Sequence, residues 1–254
     1  MSLLVIKDDH FNTVTVKLNK SPVNTLNLEF LEEIKALIIK LKNEDCRGMI
    51  LTSSLANIFS AGLDINELHK PNPTRLEKFW TTLQDIWLEL YLSPFPTVAV
   101  INGHSPAGGC LLAMSCDYRV MVESKFKIGL NETQIGIVAP KWFQDTMVAV
   151  VGQRNAEVAL TTGKLYIANE ALKIGLVDEI ALDTDKAMEK GKQFLNNFQK
   201  IPSWAYKKSK EMIRQPIVQW LIDNKNQDLE FFMGYMQSPA IQKNIDVYLQ
   251  SLKK

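Results

Sequence analysis

One carboxyl group stands in an otherwise apolar part of the chain. Residues 128–140 read IGLNETQIGIVAP and carry a single charge, on the side chain of Glu132. Apolar neighbours such as Leu130 and Ile137 solvate an anion poorly, and they raise the pKa of a carboxyl group held among them toward neutrality. That pKa suits a group that transfers protons. The alternative is a buried glutamate satisfied by local N–H groups, and this window alone favours neither interpretation.

Two glycine-containing loops earlier in the chain offer the groups that such a base needs opposite it. They are FSAGLD at residues 59–64 and SPAGG at residues 105–109. Small residues in these loops let backbone N–H groups approach a ligand oxygen closely. A carboxyl group facing two backbone donors is equipped to form an enolate, in which negative charge gathers on a carbonyl oxygen.

The histidines exclude several other kinds of catalysis. Residues 103–107 (GHSPA) nearly match the nucleophile elbow of serine hydrolases, but that triad needs a histidine after Ser105, and none follows His104. His10, His69 and His104 are too dispersed for a metal site of the HExxH type. No strand is followed by a dinucleotide-binding glycine motif, and no Walker loop occurs. Acid–base chemistry therefore falls to a carboxylate.

Four carboxylates lie near the glycine loops: Asp64, Glu67, Asp117 and Glu132. Asp64 precedes a helix predicted to begin at Ile65, which makes it a helix N-cap. Asp117 directly precedes a predicted strand and is interpreted as a turn or hydrogen-bonding residue. Glu132 is the preferred candidate for the base.

Length and composition limit the class of protein. With 254 residues, 46% of them hydrophobic, the chain predicts one large α/β domain, or one domain with a helical appendage. A net charge of +1 gives no reason to expect nucleic acid or an anionic membrane surface as a partner. Three cysteines without a CxxC pair predict reduced thiols, not a disulfide framework or a zinc site. No apolar run reaches the roughly 18 residues that a membrane span needs.

The elements that must position these residues alternate between strand and helix. Strands are predicted at residues 3–6, 14–18, 48–52, 97–101 and 118–122, and helices after Asn27 (an N-cap), after Pro73 and at residues 110–115. Such β-loop-α repeats predict a parallel sheet layered with helices. A turn is predicted at residues 8–12 and another at Asn102-Gly103. The pattern is helical from Pro140 onward.

The C-terminal part of the chain carries a surplus of apolar side chains. We divide the chain into an α/β core, residues 1–195, and a C-terminal helical region, residues 196–254. After Trp204 the helical region is rich in large apolar residues such as Trp220 and Phe231. A solvated appendage does not need that much apolar surface, so we expect it to pack on a neighbouring subunit.

Four segments together resemble the crotonase (enoyl-CoA hydratase/isomerase) superfamily. They are PVNTL at residues 22–26, FSAGLDI at 59–65, INGHSPAGGCLLAMSCDYRV at 101–120 and IGLNETQIGI at 128–137. Their order and spacing follow the family's along nearly the whole chain. Within the family, the wording around the two loops is most similar to the members that isomerise enoyl-CoA in mitochondria.

This resemblance implies a fold, a ligand and a site. The fold is an α/β, crotonase-type spiral of repeated ββα units with a C-terminal helical trimerisation region, assembled as a homotrimer or hexamer. The ligand is an acyl-CoA thioester, with coenzyme A as part of the substrate and no metal or other cofactor. The oxyanion hole comprises the backbone N–H groups of Leu63 and Gly108, and the dipole of the helix opened by Gly109 favours the thioester oxygen. The residues expected to contact substrate are Ala61, Gly62, Leu63, Asp64, Ile65, Gly108 and Asn131. The implied compartment is the mitochondrial matrix, with the transit peptide absent from this chain.

The number of carboxylates selects among the family's reactions. Hydratases that resemble this chain use two glutamates to manage a water, and at the first of these positions this chain has Leu111. Water addition is therefore disfavoured, whereas a proton shift by Glu132 alone remains feasible. The predicted enzyme moves the double bond of 3-enoyl-CoA to give trans-2-enoyl-CoA in fatty acid β-oxidation. The alternatives are an enoyl-CoA hydratase with another acid, an acyl-CoA thioesterase, or a non-catalytic CoA-binding scaffold.

Overall fold

A six-stranded sheet and a smaller four-stranded sheet form the centre of the structure, a computed structural model that describes residues 2–8 and 11–251. The strands of the described residues are β1 (Leu3–Asp8), β2 (Thr13–Leu18), β3 (Gly48–Ser53), β4 (Asn57–Ile58), β5 (Thr97–Ile101), β6 (Gly103–Pro106), β7 (Tyr118–Val122), β8 (Lys127–Gly129), β9 (Tyr166–Ile167) and β10 (Glu179–Ala181). Part of the turn predicted at residues 8–12, including His10, lies outside the described residues, as do Leu252, Lys253 and Lys254.

Helices surround the sheets. They are α1 (Leu28–Asn43), α2 (Ile65–Leu68), α3 (Pro73–Tyr91), α4 (Gly108–Ser115), α5 (Glu132–Ile135), α6 (Lys141–Val151), α7 (Gln153–Thr162), α8 (Ala168–Lys173), α9 (Thr184–Asn196), α10 (Ser203–Met236) and α11 (Pro239–Ser251). Asn27 caps α1 as predicted, because its side-chain oxygen accepts a hydrogen bond from the N–H of Phe30 at 3.2 Å. No helix in the described part of the chain is long and apolar enough to cross a membrane.

The large sheet is mostly parallel, as the repeated β-loop-α pattern predicts. Its order is β1-β2-β3-β5-β7-β10, with β1 antiparallel to β2 and every other pair parallel. Every residue of β3 and of β5 is buried. Strands covered on both faces read as continuous apolar runs, which explains why these two are easy to recognise in the sequence.

The small sheet brings together the two glycine-containing loops, residues 59–64 and 105–109. Its order is β4-β6-β8-β9, and β6 pairs in parallel with both β4 and β8. The prediction of a turn at Asn102-Gly103 was wrong, because Gly103 begins β6. A Cβ atom on Gly103 would lie 2.0 Å from the backbone nitrogen of Ile58. Glycine is needed there for a close approach of two strands, which overrides the local turn signal.

The C-terminal helices pack on their own chain. The long helix α10 contacts α3 and α6, and α11 contacts α5. Asp117 fastens α10 to the large sheet, since its carboxylate lies 2.9 Å from Lys210 Nζ and 3.0 Å from Arg214 Nη2. The interpretation of Asp117 as a hydrogen-bonding residue is thus confirmed. Five large apolar side chains of α10 nevertheless stay exposed, namely Trp204 (75%), Met212 (67%), Ile213 (79%), Ile222 (51%) and Phe231 (69%).

Candidate active site

Glu132 sits at the start of a single helical turn between two fixed points. Strand β8 ends three residues before it, and Gly136 ends α5 in the left-handed conformation, with φ of 76°. The N–H of Gly136 donates to the carbonyl of Thr133 at 3.1 Å, and the N–H of Ile137 donates to the carbonyl of Glu132 at 3.1 Å. Only glycine adopts this conformation without strain, so the turn closes directly after the carboxyl-bearing residue.

The carboxyl group of Glu132 is buried and incompletely satisfied. The residue is 7% exposed, and no group among the described residues donates a hydrogen bond to its Oε2 atom. Burial raises the pKa of Glu132 to about 7, against a smaller opposite effect from its own backbone N–H. The flanking Ile128 and Leu130 are fully covered, whereas Val138 is exposed. Local N–H groups therefore leave one oxygen of this glutamate without a partner among the described residues, which weighs against the purely structural interpretation.

The backbone N–H of Leu63 points away from Leu26, the residue with which Leu63 forms a β-bridge. Leu26 pairs with Leu63 in a parallel bridge: the N–H of Leu26 donates to Gly62 at 2.9 Å, and the N–H of Asp64 donates to Leu26 at 3.1 Å. Peptide groups alternate in direction along an extended chain, so the N–H of Leu63 itself points to the opposite side. On that side lies Gly108: a Cβ atom on Gly108 would stand 3.1 Å from the nitrogen of Leu63.

Glycine is required on both sides of the space between the loops. Gly62 has φ of 85°, and a Cβ atom there would lie 3.0 Å from the nitrogen of Gly108 and 2.9 Å from the carbonyl oxygen of Pro106. The two glycines thus keep side-chain atoms away from the N–H groups of Leu63 and Gly108. The gap can admit a small group, such as a carbonyl oxygen, close to both donors.

The second donor, Gly108, begins helix α4, so its N–H has no partner within that helix. The helix dipole adds partial positive charge at the same end. Ala107 before it is held at φ 48° and ψ −120°, a strained conformation for a residue with a side chain. The N–H of Ala107 donates to the carbonyl of Gly129 at 2.8 Å. This bond, together with the β6–β8 pairing, ties the donor loop to the segment that leads into Glu132.

Asn24 holds the FSAGLD loop in place, a role that the sequence did not predict. Its side chain is fully buried and donates to the carbonyl of Phe59 at 2.9 Å and to Ser53 Oγ at 2.8 Å. Its own carbonyl accepts a hydrogen bond from Ser60 Oγ at 2.8 Å, and Ser60 Oγ accepts from the N–H of Gly62 at 3.1 Å. The only signal was its place in the PVNTL motif, since these contacts span 29 to 36 residues.

The remaining predicted site residues divide into two groups. Asp64 caps α2 by accepting from the N–H of Asn66 at 3.1 Å, as predicted, and it lies with the partly exposed Ala61 and Ile65 beside Leu63. Asn131 directly precedes Glu132, and no described group bonds to its buried Oδ1 atom. Ala61, Asp64 and Ile65 lie in or directly after the FSAGLD loop, and the β6–β8 pairing brings the segment that leads to Asn131 and Glu132 beside the SPAGG loop.

Other candidates have structural partners. Glu67 accepts from the N–H of Leu28 at 3.0 Å and pairs with Arg75 at 2.6 Å, so it is occupied in holding α2 against α1 and α3. His104 Nδ1 accepts from the N–H of Lys127 at 3.2 Å and gives Ser105 no base, since no described group bonds to the buried Ser105 Oγ. Within the described residues, no group of three or more His, Cys, Asp or Glu side chains could hold a metal ion.

Two adjoining cavities offer room beside Glu132. The first, of about 200 Å³, is lined by Leu130, Glu132, Thr133, Val138, Ala139, Gln144, Leu160 and Thr161. The second, of about 480 Å³, shares Val138, Ala139 and Gln144 with it and is rich in aromatic side chains, with Trp80, Trp220, Phe231, Phe232 and Tyr235 on its walls. An apolar chain can therefore continue from the carboxyl group into an apolar chamber between α6 and α10.

Comparison with known proteins places this chain in a family. The family model described as enoyl-CoA hydratase/isomerase matches residues 10–254, and the chain belongs to this family. It is 42% identical to the protein named enoyl-CoA delta isomerase 1, mitochondrial, of Rattus norvegicus, over 99% of this chain and 88% of that protein.

Solved structures agree with that assignment. The crystal structure of human mitochondrial delta3-delta2-enoyl-CoA isomerase superposes with a TM-score of 0.97 and 38% identity, covering 100% of this chain and 98% of that one. An enoyl-CoA hydratase from Bacillus halodurans superposes with a TM-score of 0.88 at 23% identity, covering 97% and 100% of the two chains, and supports the fold alone. The expected crotonase fold is thereby confirmed.

Proposed function

We propose that this protein is an isomerase that converts 3-enoyl-CoA to trans-2-enoyl-CoA in fatty acid β-oxidation. One observation carries the proposal: the β6–β8 pairing and the bond from the N–H of Ala107 to Gly129 join the loop of the glycine-flanked donors to the segment that leads into Glu132, a buried carboxyl group whose pKa is raised to about 7. The isomerase names of the rat and human relatives support it. The word mitochondrial in those names supports the mitochondrial matrix as the compartment.

The mechanism follows from the roles these groups can play. The thioester carbonyl accepts hydrogen bonds from the N–H groups of Leu63 and Gly108. Glu132 removes a proton from C2, and the electrons of that C–H bond enter a dienolate whose charge gathers on the thioester oxygen. The protonated Glu132 then delivers a proton to C4, and the double bond moves to C2–C3. Coenzyme A enters and leaves as part of the substrate, and the proton shift uses no metal or redox group.

The same residues weigh against the alternatives. Hydration by a pair of glutamates lacks its second member, because Leu111 is an apolar, 1% exposed residue of α4. A thioesterase would also have to position and activate a water. A non-catalytic scaffold would have little use for Glu132, since an unsatisfied buried carboxylate is costly to keep.

Product analysis with two substrates tests the function. We expect the purified protein to convert 3-enoyl-CoA into conjugated trans-2-enoyl-CoA, read by the absorbance of the conjugated thioester and by mass. With trans-2-enoyl-CoA as substrate, we expect no gain in mass from water and no release of free thiol. Efficient hydration would favour the hydratase alternative, and release of free coenzyme A would favour the thioesterase.

The rate of isomerisation should depend on pH through Glu132. The base acts as a carboxylate. The logarithm of kcat/KM should therefore rise with a slope of one as pH increases toward about 7, and it should be level above that pH. His104, which adjoins the SPAGG loop, is the main rival for such a limb, although burial and the nearby charges of Lys127 and Lys125 lower its pKa from its ordinary value and so away from that of Glu132. A His104→Gln variant that keeps the limb assigns it to Glu132, and loss of the limb would assign it to His104.

We also propose a homotrimer, or a hexamer built from two trimers. The support is the set of large apolar side chains exposed on α10, among them Trp204, Ile213 and Phe231, which a monomer leaves in water. Sedimentation equilibrium at micromolar concentration should give a mass three or six times that of the chain. A clean monomer would contradict the assembly and our interpretation of the α10 surface.

A further inference from the structure

Helix α11 forms hydrogen bonds with two parts of the candidate site: the turn that begins at Glu132 and the segment that follows the FSAGLD loop. On one flank, Asn244 Nδ2 donates to the carbonyl of Gly136 at 2.9 Å. Gly136 is the residue that ends the turn begun by Glu132. A Cβ atom on Gly136 would lie 2.5 Å from Asn244 Nδ2, so the glycine allows this close contact.

The other flank of α11 holds the segment that follows the donor loop. Gln242 Nε2 donates to the carbonyl of Leu68 at 2.8 Å, and its Oε1 accepts from the N–H of Lys70 at 2.6 Å. His69 Nε2 lies 2.6 Å from Asp246 Oδ1. Leu68 ends α2, residues 69–70 follow it, and α2 begins two residues after Leu63, so these bonds hold the segment that follows the FSAGLD loop.

These hydrogen-bonding side chains lie on two different sides of α11. Residues 242 and 246 are one helical turn apart and share a side, whereas residue 244 faces nearly the opposite way. Between the flanks lie the buried Ile241 and Ile245, which seat the helix on the protein. One rigid element thus spans from the turn of Glu132 to the segment of Leu63.

We propose that Asn244 and Gln242 are positioning residues, through which α11 sets the distance between Glu132 and the backbone donors. This inference rests on the proposed function. A single carboxyl group that serves both C2 and C4 must reach two carbons of a substrate whose carbonyl is held elsewhere. Small displacements of such a group are costly: a shift of about 1 Å can lower a rate about 10²-fold.

The test uses variants that break one bond of each flank. Asn244→Ala removes the donor to Gly136, and Asn244→Asp keeps the shape but turns a donor into an acceptor. Gln242→Glu keeps the acceptor for Lys70 and loses the donor to Leu68. Lys243→Ala, an exposed position on the same helix, is the matched control. The number of folded sites is measured by product-CoA binding, so that a loss of folded protein is not read as a loss of rate.

Two readouts separate positioning from a merely structural role. We expect kcat per folded site to fall about 10- to 100-fold in the Asn244 variants, with KM within a few-fold of the parent. With substrate deuterated at C2, Glu132 breaks the C2–D bond, its oxygen carries the deuteron, and a C4–D bond forms as the dienolate electrons return to carbon. A misplaced carboxyl group should deliver less of that deuterium to C4, as read by mass spectrometry of the product.

The outcomes distinguish this inference from the function beneath it. If the parent makes no trans-2-enoyl-CoA, both fail. If the parent isomerises, and folded Asn244 and Gln242 variants keep the parental kcat and deuterium transfer, the positioning role fails and the isomerase stands. A Lys243→Ala variant as impaired as the others would also overturn it, because the effect would then belong to the helix in general.

Discussion

Replacing Glu132 with glutamine is expected to lower kcat for isomerisation by about 10⁴-fold or more, the upper end for loss of a positioned general base. The amide keeps the shape of the side chain but cannot accept the C2 proton. None of the other three candidate carboxylates takes over, because Asp64 caps α2, Glu67 is paired with Arg75, and Asp117 is paired with Lys210 and Arg214. The loss is large because one residue performs both proton transfers.

Binding and folding should survive this substitution. The N–H groups of Leu63 and Gly108 are backbone groups and are untouched, so affinity for product-CoA should stay within a few-fold. The Glu132→Gln variant should be more stable than the parent at high pH. The pKa of Glu132 is raised to about 7 on folding, so its ionisation opposes folding as pH rises from about 4.5 to about 7. Glu132→Gln removes that dependence, and the unfolding free energies of variant and parent should diverge over this window in favour of the variant.

Glu132→Asp is the matched control for the chemistry. It keeps a carboxylate but withdraws it by one methylene, so it should retain more activity than the glutamine variant. Both are compared on folded protein, by single-turnover rate and by calorimetric affinity for product-CoA. If Glu132→Gln stayed within tenfold of the parent rate, Glu132 would be a structural glutamate, and the base would have to be another residue.

The sequence was most informative where local pattern and tertiary structure agree. The strands predicted at residues 97–101 and 118–122 match β5 and β7, because buried parallel strands read as short apolar runs bounded by turn residues. The caps at Asn27 and Asp64 were equally readable, since a side chain that bonds two or three residues ahead needs no distant partner. The apolar neighbours of Glu132 in the sequence likewise predicted the raised pKa of its carboxyl group.

The features that could not be predicted from the sequence depend on contacts between residues far apart in the chain. Strand β6 looked like a turn because Asn-Gly is a local turn signal, and only the approach of Ile58 makes Gly103 part of a sheet. The short strands β9 and β10 lie in a stretch that read as helical. Asn24 and Asn244 bond across 35 and 108 residues, so one sequence cannot pair them with the loops that they hold.

Gly108→Ala is expected to lower kcat about 10²- to 10³-fold, the usual cost of losing one oxyanion donor. The added methyl group would lie 3.1 Å from the nitrogen of Leu63, where the thioester oxygen is proposed to bind. Its other near contacts, at 3.1 and 3.2 Å, are the terminal methyl groups of Leu63 and Leu26, which can shift. The backbone of Gly108 is helical and accepts alanine, so the fold should be retained while the gap between the donors is filled.

A second glycine provides the control for this prediction. Gly234 lies within α10, and a Cβ atom there would meet nothing within 4 Å, so Gly234→Ala should leave activity unchanged and slightly stabilise the helix. The two variants are compared by kcat, by thermal unfolding and by affinity for product-CoA. The methyl group of Gly108→Ala weakens binding of the carbonyl oxygen in the ground state, so affinity should fall, and it weakens binding more in the transition state, where that oxygen carries more charge, so kcat should fall as well. A folded Gly108→Ala enzyme with nearly parental kcat would mean that the thioester oxygen binds elsewhere, and that the gap between Leu63 and Gly108 is not the oxyanion hole.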